Sequence, residues 1–310
     1  MTQARLDAGP AWGLLAACGA GFLWGTGALV VDVLVAQHGF TPAHISFWRF
    51  AIGAVVLLAV FGRRIPWARL RGVGGTVLVA GLAMAGYVLC WFLGIERIGP
   101  AVPTLIALCL PPVLVTLWSV AQGRERLDAP LLALLAAALG GTALVVLRHG
   151  GPAGAVSTQA VVEGVLLSVG SALLYAVFTL VSGGLSKALG AGPATTGLTV
   201  VAAATMGLAA LYTPLAWPRE LPPEAWLLYL GLVTAAIALL AFSWGAARLS
   251  PTALTVATLV EPLTAVLLAA WLLGETLVPL QWLGALLMLA AIAGLGRRDA
   301  RRVREGGRAH

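Results

Sequence analysis

Apolar residues run through this chain in ten long stretches separated by short polar punctuation. A helix that crosses a bilayer needs roughly 20 mostly apolar residues. On that rule the stretches predict ten spans, at 12–36, 43–61, 72–94, 100–121, 128–147, 161–182, 193–213, 225–246, 251–273 and 279–296. The breaks carry residues that end or start helices: His38-Gly39 with Thr41-Pro42, Arg63-Arg64-Ile65-Pro66, Gly99-Pro100, Gly150-Gly151-Pro152, Gly192-Pro193, Pro218 with Pro222-Pro223, and Ser250-Pro251. No segment between spans is long enough to fold as a separate domain. The first run, Ala11 to Ala36, is too long for the apolar core of a secretory signal and has no small-residue cleavage site after it, so it reads as a retained helix. The expected fold is all-α and integral to a membrane.

The ninth span carries two defects. Glu261-Pro262 lies in the middle of the run from Arg248 to Thr276. An acidic side chain at that depth costs a few kcal/mol unless it is paired, protonated or wet. Proline there leaves the carbonyl of Thr258, four residues back, without its helical donor. Both are tolerable in a packed bundle or beside a cavity. The same stretch has a copy 151 positions earlier: Arg97/Arg248, Pro100/Pro251, Pro111/Pro262 and Gly123/Gly274 all match. Gly13/Gly164, Gly19/Gly170, Leu23/Leu174, Trp24/Tyr175 and Gly94/Gly245 extend the repeat. Alanine and leucine match by chance in such sequences, so the glycines, prolines and arginines carry the weight. Five spans per half is an odd number, so the two copies insert in opposite orientations, the inverted-repeat plan of many secondary transporters. Residues 1–150 and 151–296 are the expected halves, with 297–310 as a basic tail. In that plan a ligand binds near the midplane between the repeats, beside interrupted helices. Pro111-Pro112 and Pro262 mark the symmetry-related pair expected to be interrupted.

Composition agrees with a membrane protein. Sixty per cent of residues are hydrophobic and 10% are charged, with a mean hydropathy of +0.96, against about 25% charged in soluble domains. The net charge of +7 comes from arginines beside apolar runs. With the N-terminus inside, the inner side holds Arg5, Arg63, Arg64, Arg69, Arg71, Arg124, Arg126, Lys187, Arg248 and six tail arginines from Arg297 to Arg308. The outer side holds only Arg97, Arg148 and Arg219. This bias predicts a multi-pass inner-membrane protein with both termini cytoplasmic. No P-loop, zinc spacing or aromatic-interleaved basic patch supports a nucleic-acid partner. Cys18, Cys90 and Cys109 lie inside apolar runs and read as small buried residues. The four histidines fall at span ends or in the tail, form no metal or catalytic cluster, and point away from an enzyme. No cofactor is implied.

The ten-span, two-repeat layout, FLWGTGALV (Phe22–Val30), FWRF (Phe47–Phe50) and LVEPLTAVLLA (Leu259–Ala269) resemble the EamA family of the drug/metabolite transporter superfamily. The loop motifs Glu125-Arg126-Leu127 and Glu275-Thr276-Leu277, offset by 150 rather than 151, add to the likeness. The resemblance implies a carrier of small metabolites with a central cavity lined by helices of both halves, the third, fourth, eighth and ninth spans among them. Family members export amino acids, nucleosides, cofactors and other metabolites. The expected partners are a small-molecule substrate, the lipid bilayer and protons as coupling ion, in a monomer or homodimer. A carrier of sugars, nucleotide-sugars or drug-like cations is an alternative, as are a lipid flippase and a non-transporting membrane subunit.

Glu261 leads the candidates, as a partner for a substrate ammonium, as the proton site of an antiporter, or as a brace for the broken helix. Arg49 is either an anchor for a substrate carboxylate or one member of a structural pair with Asp32. Trp24 and Tyr175 are symmetric and mid-span. Tyr87, Trp91, Phe242 and Trp244 fall on the third and eighth spans, and Thr104, Thr255 and Thr258 near the prolines, where each can line a cavity or simply pack. Trp12, Trp67, Trp226, Trp271 and Trp282 read as interfacial anchors. Gly21-Phe22-Leu23-Trp24-Gly25 is a GxxxG, which in an apolar helix signals close packing.

Overall fold

The computed structural model describes residues 2–146, 157–212, 214–273 and 276–306. The expected junction of the repeats at 150/151, Arg148, His149, Gly274, Glu275, Arg308 and His310 lie outside them. The described secondary structure is helical throughout: α1 (Thr2–His38), α2 (Pro42–Phe61), α3 (Trp67–Ile98), α4 (Ala101–Ala121), α5 (Ala129–Val146), α6 (Thr158–Leu189) and α7 (Ala191–Gly207) come first. Next, α8 (Pro223–Tyr229), a π-helical stretch Leu230–Ile237 and α9 (Ala238–Ala246) form one rod. A second composite rod is α10 (Pro251–Ala257) with α11 (Val260–Leu273), and α12 (Pro279–Gly306) closes the chain. These are ten rods in the expected order, and the protein is an all-helical membrane protein. Nine of the rods, among the described residues, are long and apolar enough to cross a membrane. The remaining one, α7, has 17 residues and continues as a 3-10 turn, Leu208–Leu211.

The punctuation works as its chemistry predicts. Thr41 and Ser250 accept hydrogen bonds from His44 N and Ala253 N at the starts of α2 and α10, with prolines 42 and 251 in the first turn. Gly39 and Gly99 adopt φ of 66° and 75° just past α1 and α3, a conformation costly for any residue with a Cβ. Two expectations need correction. The α12 helix runs on to Gly306, so the tenth span and the start of the basic segment are one helix. Arginine is a good helix former, and neither glycine nor proline occurs between 297 and 305. The α4 helix passes through Pro111-Pro112 without interruption, so only one of the two symmetry-related spans is broken. Both prolines are buried, and the α4 helix packs against α6, α10 and α5.

Packing follows the repeat. The α6 helix lies against α3 and α4, while α1, its counterpart, lies against α9 and α11. The contact of α3 with α7 is mirrored by that of the π-helical stretch with α2, and the pairs α2–α7, α5–α12 and α4–α10 join one half to the other. This is a pseudo-two-fold arrangement, and it explains the glycines conserved between the two copies. A Cβ on Gly13 would lie 2.8 Å from Arg248 Cβ, and one on Gly164 would lie 2.8 Å from Ile98 Cγ1. A Cβ on Gly245 would lie 2.9 Å from Gly13 O, and one on Gly94 would lie 3.3 Å from Gly164 O. The four glycines therefore sit at two equivalent crossings, α1–α9 and α6–α3, where backbones touch. Lipid offers no hydrophobic drive between helices, so close approach of this kind holds them together. The repeated arginines differ in use: Arg97 pairs with Glu163, whereas Arg248 lies over the Trp244 ring. The five tryptophans expected at the interfaces are all exposed.

The GxxxG of α1 makes the closest crossing of the centre. A Cβ on Gly21 would stand 2.7 Å from Thr258 O, and one on Gly25 would stand 2.5 Å from Glu261 O and 2.6 Å from Thr264 Cβ. By contrast, nothing lies within 4 Å of a Cβ on Gly19. Gly25→Ala is therefore expected to destabilise the protein by about 3 kcal/mol through a clash with main chain that cannot yield, while Gly19→Ala is neutral or gains up to about 1 kcal/mol of helix propensity. Thermal unfolding of the two purified variants beside the parent measures the difference; equal melting temperatures would refute the packing role of Gly25.

Candidate functional site

The centre of the molecule is built on the break between α10 and α11. Pro262 has no N–H for Thr258 O, and the chain answers by tightening. Thr258 O accepts instead from Glu261 N at 3.0 Å, and Leu259 N donates to Val256 O at 3.1 Å. Both are three-residue contacts of the 3-10 kind. The threonines close the remaining gaps. Thr255 Oγ1 donates to Pro251 O and Thr252 O, Thr258 Oγ1 to Thr255 O at 2.9 Å, and Thr264 Oγ1 to Val260 O at 2.8 Å. The consequence is that Glu261 stands in the first turn of a new helix, where the N-terminal end of the helix dipole favours a carboxylate.

Around Glu261 the fold gathers three further polar side chains. Tyr175 OH lies 3.1 Å from Thr258 Oγ1. The Tyr175 and Tyr87 rings meet edge to face, with centroids 5.1 Å apart and planes at 75°. Arg49 is within electrostatic reach of both Tyr87 and Glu261. The four come from α2, α3, α6 and α11, two from each half, and each is only partly exposed. Arg49 and Glu261 do not close into an ion pair within 4 Å, and the Arg49 Nε is buried without a hydrogen-bond partner. Its guanidinium lies over the Phe50 ring, 5.6 Å from the centroid. A cation and an anion thus share the centre without a direct ion pair between them. The aromatic wall continues from Tyr175 to Phe178, which stacks on Phe242 at 5.0 Å, and on to Trp24, 5.6 Å from Phe242.

The other candidates are dispersed. Trp24 is buried, and its indole N–H donates to Thr234 O at 3.0 Å, binding α1 to the π-helical stretch. Trp91 donates from Nε1 to Thr104 Oγ1 at 3.2 Å, joining α3 to α4, and both residues are half-buried. Thr255 is buried with its hydroxyl turned onto its own helix. Trp244 lies near the end of α9 under Arg248, whose guanidinium is 3.4 Å from the ring centroid and whose Nη1 donates to the Trp244 carbonyl. Phe242 is fully buried. Asp32 is exposed on α1.

Two buried carboxylates had gone unnoticed among the candidates. Glu125, in the loop after α4, accepts from Thr252 Oγ1 at 3.0 Å, and Thr252 Oγ1 lies 3.1 Å from Thr116 Oγ1. This chain of contacts ties α4 and its loop to the start of α10. Asp299 on α12 accepts from Ser250 N at 2.7 Å and holds the same point from the other side. The signals were present: Glu125 heads a loop motif repeated in the second half, and Asp299 is one of two acids in an arginine-rich run, with Glu305.

Comparison with known proteins agrees with this architecture. The model of the EamA-like transporter family matches residues 11–147 and again 162–297. An uncharacterized transporter, YwfM, of Bacillus subtilis (strain 168) is 30% identical over 285 residues, which cover 88% of this chain and 90% of that one. A solved crystal structure described simply as that of a protein superimposes with a TM-score of 0.77 over 91% of this chain and 96% of its own, at 22% identity, a likeness of fold. Two family matches, one per half, over a ten-rod helical bundle place the chain in the EamA-like transporter family, a membrane transporter built from two repeats.

Proposed function

We propose that this protein is a secondary carrier that exports a small zwitterionic metabolite, an amino acid above all, by alternating access of one central site between its two halves. The observation that carries the reading is the facing pair Arg49 and Glu261, within electrostatic reach and not closed into an ion pair. Opposite charges held apart in poorly solvated surroundings are costly, and a ligand bearing both complementary charges offsets that cost. An α-amino acid is such a ligand. Its carboxylate suits the planar guanidinium of Arg49, its ammonium suits Glu261, and the rings of Tyr87 and Tyr175 offer π-faces to a cation or an apolar side chain.

The four groups are split between the halves, so cargo that bridges Arg49 and Glu261 interacts differently with each arrangement of the halves, which is what a ligand needs to shift such an equilibrium. The sequence has no nucleotide-binding motif, and gradients of cargo and protons supply the energy. Glu261 is the cluster's carboxylate and the group that exchanges the coupling proton: protonated, it releases an ammonium; ionised, it attracts one. The arginine bias of the loops supports an inner-membrane location with both termini cytoplasmic.

Counterflow of a labelled amino-acid panel in proteoliposomes tests this reading. One amino-acid class is expected to exchange, and Glu261→Gln, which keeps size and hydrogen bonding, is expected to lose the response to an imposed pH gradient. Counterflow of nucleosides or sugars alone would replace the amino-acid reading. Arg49→Gln is expected to raise the half-saturating concentration of a transported amino acid by about 10- to 100-fold, the worth of a charge-assisted contact, and to leave the matching decarboxylated amine unaffected. An unchanged affinity accompanied by a lower melting temperature would make Arg49 a structural residue.

A further inference from the structure

A second concave site lies away from the central cluster, at the end of the molecule that holds the arginine-rich segment. It is a cleft of about 700 Å³ between the loop after α4 and the extension of α12. Arg124, Arg126, Arg297, Arg298 and Arg301 line it, with two carboxylates, Glu125 and Asp128. Both carboxylates are committed to the fold. Glu125 accepts from Thr252, while Asp128 caps α5 by accepting from Leu131 N and is paired with Arg298 at 2.6 Å. Among the described residues, Arg124, Arg126, Arg297 and Arg301 make no ion pair, and the Nε of Arg298 is buried with no partner. Arg297 and Arg301 are four residues apart on one helix and share a face. A bias of loop charge that served only to orient the chain would scatter its arginines over the surface; here two segments distant in sequence bring them to one concavity.

The surroundings of the cleft indicate its occupant. Leu134 and Pro130 line its floor. Trp118, Leu127 and Leu132, on the same two helices and their loop, are each about half exposed, at 51%, 50% and 50%. An exposed tryptophan beside a polar helix end marks the level of lipid headgroups, so this basic cleft opens next to an apolar, lipid-facing surface. A soluble phosphate would use only the arginines. A phospholipid uses both features, its phosphate in the cleft and its chains along the exposed leucines. Basic pockets between spans at the membrane surface bind acidic lipids by this chemistry.

We propose that the cleft between Gly123–Asp128 and Gly294–Arg301 is a binding site for a phosphate-bearing anion, the headgroup of an acidic membrane lipid. Such a lipid clasps α12 to the loop after α4. Through Asp299–Ser250 and Glu125–Thr252 the same two segments hold the start of α10, so an occupied cleft stiffens the base of the broken helix. The site is independent of the cargo reading.

The test uses the full chain, delipidated in neutral detergent, with added cardiolipin, phosphatidylglycerol, phosphatidylcholine or inorganic phosphate. Its readouts are the melting temperature and the lipid retained in native mass spectrometry. Cardiolipin or phosphatidylglycerol is expected to raise Tm by about 5 °C at saturation, and phosphatidylcholine is expected to leave it unchanged. Arg124→Gln/Arg297→Gln/Arg301→Gln is expected to melt at the parental temperature without lipid and to lose at least half of the shift. A control of equal charge change, Arg63→Gln/Arg64→Gln/Arg69→Gln, keeps it. An equal rise with inorganic phosphate would assign the cleft to a soluble anion and overturn the lipid. No rise, or an equal loss in the control, would overturn the site. Should the triple variant melt low without lipid, Arg301→Gln alone, read by retained lipid, decides: reduced retention supports the site and parental retention overturns it.

Discussion

Pro262 withholds an N–H from the carbonyl of Thr258 where water is scarce, and the way that carbonyl is satisfied sets the geometry of the centre. In a bilayer an unsatisfied main-chain group costs several kcal/mol. The helix therefore shortens its hydrogen bonds from four residues to three, stops at Ala257 and restarts at Val260. Restarting places Glu261 in a first turn instead of a helix interior. It also brings Thr258 O against α1, where Gly21 and Gly25 leave no side chain to obstruct it. The break, the carboxylate and the glycines are thus parts of one solution. Each would be a liability by itself: a proline without compensation, a buried acid, and two residues of poor helix propensity.

The pseudo-two-fold packing then determines what surrounds that carboxylate. Equivalent crossings of α1 with α9 and of α6 with α3 bring Trp24 and Tyr175 toward the middle from opposite halves. Their chemistry diverges there. Trp24 donates its N–H to the π-helical stretch and is sealed into the core, whereas Tyr175 keeps its hydroxyl on Thr258 and meets the Tyr87 ring edge to face. One half of the wall is consequently sealed into the core and the other keeps a polar, partly exposed edge, although both positions match in the repeat.

Most of the architecture was legible in the sequence because its causes are local. Apolar run length gives the spans, and Ser-Pro and Gly-Pro steps give their ends. Repeated glycines fix the crossings, since only a backbone contact demands the same glycine twice. The broken helix could also be predicted, down to the carbonyl affected, because the missing N–H of proline acts four residues back. The cluster was legible only in part. Arg49 was expected near Asp32 by depth along the rods, a measure that ignores the reach of a long side chain and so did not reveal that Arg49 comes within electrostatic reach of Tyr87 and Glu261. Trp244 was placed by helix membership, yet an arginine one turn away claims its ring. Interruption at Pro111-Pro112 failed because a motif shared by two copies does not guarantee the same response when neighbouring packing differs. Asp299 and Glu125 were hidden because their partners are a main-chain N–H and a threonine hydroxyl more than forty residues away.

The break on one side only has a consequence for energetics. Two identical halves related by a two-fold would make the two facing states of a carrier degenerate, each the image of the other. A discontinuous rod in the second half and a continuous one in the first lift that degeneracy. The α4 helix stays continuous although Pro111 and Pro112 withhold their N–H groups from Ala107 and Leu108, whereas α10 and α11 part at Thr258. The two halves therefore differ in main-chain continuity at matched positions, and the pseudo-two-fold does not make them interchangeable.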